Sequence, residues 1–467
     1  MNQNSTDLKA ELIEGKASIP VNIHFTTKYS LLVKPLNGRK FNDGDQFSNF
    51  VVQLNNDAFE LGCCRILPEP NNGNGMGRLI FIDSVYDLET LVTHHRLVKL
   101  QDAFLNLSLI LERKDRISRS FKDFTSNLTY DLSVYKNIFD NLDAEYSDEP
   151  AEVSDSLQDT IIQTEGRKFL SFLDDKLLEL ERIVKDFNKA EHECHGFYFR
   201  RQFWEIIMCA PFMARTNLKP RGYAGDSEMM SMIYANDYRG ASTFYKLMHK
   251  HPLEQPAAQA VRNRRNAIAK MICHVKASHQ RRNRRRLKIL SVACGPSREL
   301  ADVITTAEDS QNLYFALLDQ DPTALQEAQG SVRQIEKKLN TKIAVKFLNE
   351  SVRTMLATPQ IDAKLGQFHF IYSMGLFDYL TPPVASAVLA KLYQLLKPGG
   401  EMVIGNFHVS NPSRYYMEYW LDWVLYYRTE DDFKSLLKDV PGAEVELFFE
   451  DNKVQMFLHV KKVKTIS

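Results

Sequence analysis

An apolar run at residues 287–293 of this chain gives way to Cys294-Gly295-Pro296-Ser297-Arg298-Glu299. Small residues at Ala293, Gly295 and Ser297 let a backbone approach a ligand and let a following helix pack closely. Asp319, followed by Gln320, closes the next apolar run 24 positions after Gly295. An acid at that offset suits the paired hydroxyls of a ribose. A third run ends in Asn349-Glu350-Ser351, polar groups that suit the edge of an adenine, and a fourth in Ser373-Met374-Gly375-Leu376-Phe377-Asp378. Leu396-Lys397-Pro398-Gly399-Gly400 leads into a fifth. The chemistry this suggests is the binding of a nucleoside-bearing ligand across the ends of successive strands.

A second constellation lies upstream: Leu218-Lys219-Pro220-Arg221-Gly222-Tyr223-Ala224-Gly225-Asp226-Ser227-Glu228-Met229-Met230. Glycines on both sides of Tyr223 permit sharp turns, and a loop closing over a ligand is one use for them. The plainer reading is a helix start, with Asp226 as its cap and Glu228 in its first turn. A third set is aromatic: His408, Tyr415, Tyr416, Tyr419, Trp420, Trp423, Tyr426 and Tyr427. These are candidate walls of a binding site, although a packed amphipathic helix would use the same residues.

The elements that must position these groups follow from periodicity. Beyond residue 286 the pattern alternates strand candidates (287–293, 313–318, 344–348, 368–373, 401–407) with helical segments, the first at 298–305. Such alternation predicts a parallel sheet covered on both faces, with ligands at the carboxyl ends of its strands. Two last β runs, 443–449 and 454–460, flank Glu450-Asp451-Asn452-Lys453 and predict a terminal antiparallel hairpin. Upstream, residues 1–19 read as a polar tail and 20–85 as a small β-barrel of short runs between turn clusters. Residues 86–155 read as a helical segment, with leucines from Leu88 to Leu111 at helical spacing, ending in an exposed acidic linker at 143–159. Residues 156–286 read as a helical cap or substrate region and 287–467 as the ligand-binding α/β domain. On this division residues 1 to about 155 are not chemically required.

The ordered pieces from Leu287 to Val460 resemble class I S-adenosylmethionine-dependent methyltransferases. The resemblance implies a Rossmann-like α/β fold and S-adenosylmethionine as cofactor. It places Ala293, Gly295 and Ser297 at the glycine positions of the family's first motif, with Cys294 and Pro296 between them. It implies Asp319 and Gln320 at the ribose, Asn349, Glu350 and Ser351 near the adenine, and Ser373 and Met374 at the fourth strand's end. The sequence departs from that motif in having Ala293 and Ser297 for glycines and Ser291 for the usual acid. Together with 293–300, the 218–230 stretch resembles bacterial synthases of 3-hydroxypalmitic acid methyl ester, an extracellular signal, over roughly residues 190–467. That resemblance implies methylation of a small or lipid carboxylic acid, free or on an acyl carrier. For such chemistry the residues themselves make Tyr223, Asp226, His408 and Arg221 the catalytic candidates, with Arg221 or Arg414 as partner of the substrate carboxylate. A carboxylate is ionised at neutral pH and needs no general base, only alignment and exclusion of water. Residues 51–62 resemble PilZ domains, without a recognisable arginine pair of the kind that grips cyclic di-GMP there, so a structural or dimerising role is expected.

Composition sets the outer bounds. With 467 residues the chain exceeds one ordinary core, and 44% hydrophobic with 25% charged residues is a globular composition. Lys+Arg and Asp+Glu are 59 each, which gives no general reason to expect nucleic acid. No run is long enough to span a bilayer and the polar start is not a signal peptide, so a cytoplasmic protein is expected. Cys63, Cys64, Cys194, Cys209, Cys273 and Cys294 follow no framework or zinc spacing and read as free thiols. No metal is expected: His192, Cys194 and His195 lack a fourth ligand at a standard spacing. Asn72-Gly73-Asn74-Gly75-Met76-Gly77 reads as a hairpin loop. The arginines at 281–286, with Arg262, Arg264 and Arg265, read as a solvated face, RNA or an acidic carrier being the partners such a face would suit. Two rival functions follow: methylation of RNA or another large nucleophile, from those arginines, and a non-enzymatic signalling scaffold, from the missing glycines. A homodimer is one assembly the sequence admits.

Overall fold

Side chains alternate across a strand, so a half-buried sheet needs apolar residues at every second position. Leu31-Leu32-Val33-Lys34-Pro35 meets this pattern, with Leu31 and Val33 buried and Lys34 outside. A computed structural model describes residues 9–15, 17–26, 30–42, 44–54, 57–67, 76–83, 114–282, 286–357, 365–440 and 442–463. The chain forms two units, residues 1–116 and 117–467.

The first unit is an eight-stranded antiparallel sheet of β1 (Lys9–Glu14), β2 (Ala17–Thr26), β3 (Leu31–Pro35), β4 (Gln46–Phe47), β5 (Asn49–Leu54), β6 (Asp57–Glu60), β7 (Cys64–Leu67) and β8 (Gly77–Phe81). Its order is β4-β7-β8-β3-β2-β1-β5-β6. Only Ser48 separates β4 from β5, yet they stand at or near opposite ends of that order, so the sheet must curl round. The Ser48 N–H closes the curl on the Ile13 carbonyl at 2.9 Å. Leu12, Val21, Val33, Phe50, Val52, Ile66 and Leu79 fill the inside.

The expected polar tail is wrong from Lys9 on: β1 and β2 pair in register from Lys9↔Asn22 to Glu14↔Ala17, turning at Gly15 with φ of +62°. Ala10 and Leu12 point inward, so Glu11 between them belongs to the strand's outer face. The leucines at 88–111 and most of the glycine-rich loop at 72–77 lie outside the described residues.

In the second unit, helix Arg119–Glu145 buries Phe121, Phe124, Leu128, Leu132 and Phe139 at helical spacing, and Ser118 Oγ caps it by accepting the Phe121 N–H. Helix Arg167–Val184 adds Phe169, Leu173, Leu180 and Val184 to the same core. Lys189–Gln202 and the insertion after residue 407 complete it: the Trp420 ring stands 4.9 Å from Phe199 and 5.1 Å from Phe203. No exposed linker crosses residues 143–159. Helix Arg119–Glu145 runs into that stretch, Ala151–Ile161 is helical, and Asp143 accepts the Thr243 N–H at 2.7 Å. Helix Ala151–Ile161 has no fully buried residue, so it shows no apolar stripe to read; acidity alone does not oppose a helix.

The second sheet holds β9 (Leu287–Val292), β10 (Leu313–Asp319), β11 (Ala344–Asn349), β12 (Phe368–Ser373), β13 (Leu396–Phe407), β14 (Ala443–Phe449) and β15 (Gln455–Lys462), ordered β11-β10-β9-β12-β13-β15-β14. β9 to β13 are parallel; β15 is antiparallel to β13 and β14 antiparallel to β15. Leu290, Ile371, Met402 and Leu458 pack on helix Pro382–Gln394, and Ile289, Phe370, Val403 and Phe457 on helices Pro256–Arg282 and Pro322–Leu339. Burial on both faces is why these strands read as nearly continuous apolar runs. The expected Lys-Pro-Gly-Gly turn is an irregularity inside β13. Register moves from Phe368↔Leu396 to Phe370↔Glu401, with Gly399 at φ of +74°. The first helix after β9 is shorter than expected, Leu300–Val303. Among the described residues no helix is long and apolar enough to cross a membrane.

Candidate active site

At the carboxyl ends of β9, β10, β12 and β13 lies a cavity of about 430 Å³, roofed by residues 221–234 and by Trp423 and Leu425 of the insertion. Its floor begins with a loop in which Ala293, Gly295 and Ser297 all adopt left-handed backbone, φ 53°, 53° and 50°. Two of these positions therefore keep a glycine's conformation with a side chain present. Ser297 Oγ donates to the Cys294 carbonyl at 3.3 Å, a local bond that helps hold its turn. Nothing stands within 4 Å of where a Cβ on Gly295 would be, so the loop is open at that point. Asp319 binds the loop from β10: one carboxylate oxygen accepts the Gly295 N–H at 2.9 Å and the other the Asp321 N–H at 3.0 Å. Burial raises the Asp319 carboxyl above its ordinary range, opposed by these backbone N–H groups. With the Gln320 N–H as a third backbone donor, the carboxylate still keeps acceptor capacity for a ligand.

The roof is strapped to the α/β layer by Arg221. Its guanidinium donates to Asp321 Oδ2 at 2.8 Å, Ser227 Oγ at 2.5 Å and Glu327 Oε1 at 3.3 Å. Burial would lower its pKa, but Asp321 and the other acids outweigh that and raise it. Tyr223 lines the cavity edge-on to Tyr379, ring centroids 6.2 Å apart. Gly225 permits the close approach beneath: a Cβ there would stand 2.4 Å from Tyr379 Oη and 2.6 Å from Trp423 Cζ2. Deeper in, Tyr372 donates to Glu299 Oε1 at 2.6 Å, and burial raises the Glu299 carboxyl. Burial likewise raises Asp378 to about 6, although the Phe407 N–H donates to it at 2.7 Å.

Residues 289–400 match the family model of a methyltransferase domain. They are a methyltransferase domain. Its cofactor is S-adenosylmethionine, and the site fits that group: remaining acceptor capacity on Asp319, an open face at Gly295 and a cavity of ordinary ligand size. No curated protein sequence matches the chain. Solved structures with partial likeness include a possible exported protein from Bordetella parapertussis. It is 16% identical, covers 60% of this chain and 90% of its own, and has a TM-score of 0.39. Magnesium protoporphyrin IX methyltransferase from Synechocystis PCC 6803, with bound SAH, is 12% identical over 44% and 87% with a TM-score of 0.34. An O-methyltransferase family protein from Burkholderia thailandensis is 15% identical over 46% and 62%, TM-score 0.33.

Of the residues expected around the methyltransferase domain's cofactor, Ala293, Cys294, Gly295, Pro296, Ser297, Asp319, Gln320, Glu350 and Met374 line the cavity. Asn349, Ser351 and Ser373 do not. The Asn349 amide donates to the carbonyls of Asp319 and Gln320, Ser351 Oγ caps the next helix through the Thr354 N–H, and Ser373, fully buried, donates to the Val292 carbonyl. These are short polar groups at strand ends, spent on the loops' own backbone.

Of the catalytic candidates, Tyr223 and Arg221 reach the cavity, Arg221 with its charge already paired to acids. Asp226 does not line it. Its carboxylate, wholly buried, caps the helix through the Met229 N–H and pairs with Arg215 at 2.7 Å. His408 is also outside, between Ser410 Oγ at 2.6 Å and Glu430 Oε2 at 3.2 Å. Arg414 pairs with Glu418. Of the aromatic set only Trp423 lines the cavity; Tyr416, Tyr419 and Trp420 are core. His195 is taken up by the Ser118 N–H and the Glu191 carbonyl, and no cluster of metal-binding side chains occurs among the described residues.

Arg262, Arg264 and Arg265 are not a solvated face. Arg262 donates to the Ile233 and Leu253 carbonyls, Arg265 pairs with Asp302, and Arg264 is buried on the cavity wall. The signal for Arg264 was in the sequence: it continues the helical stripe Ala257, Val261, Ile268, Ile272, all buried. A cation in an apolar stripe marks a site rather than a surface. Glu299, Asp378 and Tyr379, also on the wall, offered no such spacing.

Proposed function

We propose that this methyltransferase esterifies the carboxylate of a hydrophobic acid, a 3-hydroxy fatty acid by the resemblance of its sequence. The observation that carries this is the second half of the cavity. Beyond the floor loop Met230, Val261, Tyr379, Phe407, Trp423 and Leu425 form an apolar stretch of wall, beside the charged Arg264, Glu299 and Asp378 and continuous with the cofactor half. Such walls exclude water, which strengthens the attraction between an acceptor anion and a sulfonium. In the transfer a carboxylate oxygen bonds to the methyl carbon, the C–S bond breaks with its electron pair left on sulfur, and no proton moves. Asp319 and the Gly295 loop would hold the ribose and the chain beyond it. Tyr223 and Tyr379 present aromatic rings to which a cation is attracted, and Arg221 holds the roof shut over them. Two of the arginines that suggested RNA are already engaged within the fold, Arg262 by backbone carbonyls and Arg265 by Asp302.

The test is incubation of the full chain with S-adenosylmethionine and 3-hydroxypalmitate, followed by mass spectrometry. A methyl ester that alkali hydrolyses is expected. A base-stable methyl ether, or no lipid product across a series of acids, would overturn the reading.

A further inference from the structure

We infer that Arg264 is the receptor for the acceptor's carboxylate and that the apolar tail of the acceptor runs from it toward a second void between the cap helices. This rests on the proposed esterification, since it names the group that recognises the acid. A guanidinium carries five N–H donors and, once buried, calls for an anion or a full set of acceptors. Arg264 is 8% exposed. Its hydrogen-bond partners are all neutral: the Met374 carbonyl at 3.2 Å, Gln455 Oε1 at 3.4 Å, Met230 Sδ at 3.2 Å and the Tyr234 hydroxyl. Other buried or half-buried arginines are better served. Arg221 and Arg215 have carboxylates, and Arg428 has the Phe377 and Leu380 carbonyls at 2.8 and 2.5 Å besides Asn406. Asp378 acts on Arg264 only through space. Gly375 leaves the guanidinium uncovered on one side, a Cβ there being 3.5 Å from both terminal nitrogens.

The tail direction follows from the same helix. One turn before Arg264, Val261 lines the main cavity and also, with Phe407 and Trp423, a separate void of about 20 Å³. Ala257, Ala258, Phe212 and Leu421 surround that void. At about 20 Å³ this almost wholly apolar void has room for only the end of an alkyl chain, the rest of which would lie in the main cavity. A charged wall and an apolar recess on consecutive turns of one helix select an acid with an alkyl tail over a short acid or a neutral lipid.

Calorimetry on the full chain saturated with S-adenosylhomocysteine tests this without requiring turnover. Octanoate is expected to bind at least about tenfold more tightly than either octanol or butyrate. Arg264→Gln is expected to remove the preference for octanoate over octanol while leaving S-adenosylhomocysteine affinity within about twofold, which also reports that the variant is folded. Arg264→Lys is expected to restore part of the preference. The inference is overturned if octanoate does not bind, if butyrate binds as well, or if Arg264→Gln keeps the charge preference. It is overturned too if Arg264→Gln and Arg264→Lys both weaken S-adenosylhomocysteine as much as octanoate, which would assign the guanidinium to the cofactor's own carboxylate. Charge-selective octanoate binding without ester formation would refute the proposed function and leave the receptor standing.

Discussion

The floor and the roof of the cavity are built by opposite means. The floor is backbone: three left-handed residues within five positions, N–H groups tied to Asp319, and short polar side chains at strand ends. The roof is side chains: Tyr223, Tyr379, Trp423 and the buried Arg264, drawn from helices and loops up to two hundred positions apart. A local floor suits a cofactor that many acceptors share; a roof assembled from distant segments can change its acceptor without disturbing the floor. The cap that carries the roof must then be an integral part of the fold.

The most severe way to break that claim is truncation. A chain starting near residue 159 loses helix Arg119–Glu145 with Phe121, Phe124 and Phe139, each worth roughly 3–5 kcal/mol as a buried phenylalanine. That total reaches the whole stability of a domain, about 5–15 kcal/mol. It is expected to be insoluble or unfolded by circular dichroism, whereas a chain starting at Ile117, the boundary of the second unit, folds and binds S-adenosylmethionine. A stable, binding-competent chain from 159 would show the cap to be dispensable.

Asp226→Ala comes next. It strands Arg215 and uncaps a helix, so a loss of about 3–5 kcal/mol is expected by denaturant titration. Wild-type stability with lost turnover would return Asp226 to the chemistry. Asp319→Ala attacks the floor. Cofactor affinity should fall by about 1.5–3 kcal/mol, the worth of charged hydrogen bonds, with the fold retained; an unchanged dissociation constant in the soluble variant would remove the ribose assignment. On the roof, Tyr223→Ala should lower turnover by about 0.5–2 kcal/mol of cation attraction while Tyr223→Phe keeps most of it. Equal loss in both would mean that the hydroxyl contacts the acceptor. The smallest effect is expected for Ala293→Gly. Relief of left-handed strain and the greater freedom of glycine in the unfolded chain nearly cancel, so stability should change by less than about 1 kcal/mol. A large loss would show that the Ala293 side chain has a packing role.

What could be read in advance divides along the same line. The five parallel strands, the hairpin and the place of Asp319 at the end of β10 were legible because each is signalled within a few residues by apolar runs and by the acid that ends one of them. Asn349 and Ser373 were correctly placed at strand ends but misjudged in use, since composition does not say whether a polar side chain turns to the ligand or to its own backbone. The strand Lys9–Glu14 was hidden by Glu11 on its outer face and Glu14 at its end, and the helix at Ala151–Ile161 by having no buried stripe. Arg264 was legible in its register and was passed over because the neighbouring arginines suggested a surface.

By itself the sequence determined the α/β layer and the loop proposed to cradle the cofactor, because hydrophobic periodicity and backbone conformation are decided over a handful of residues. Only the tertiary structure decided which charges are already paired and which face the cavity. Arg221, Arg264, Asp226 and His408 are alike as candidates until their partners, up to about a hundred and ninety positions away, are known. Burial makes that distinction matter: a desolvated charge paired with a carboxylate holds the fold, whereas Arg264, hydrogen-bonded only to neutral groups, is the one proposed to take a ligand.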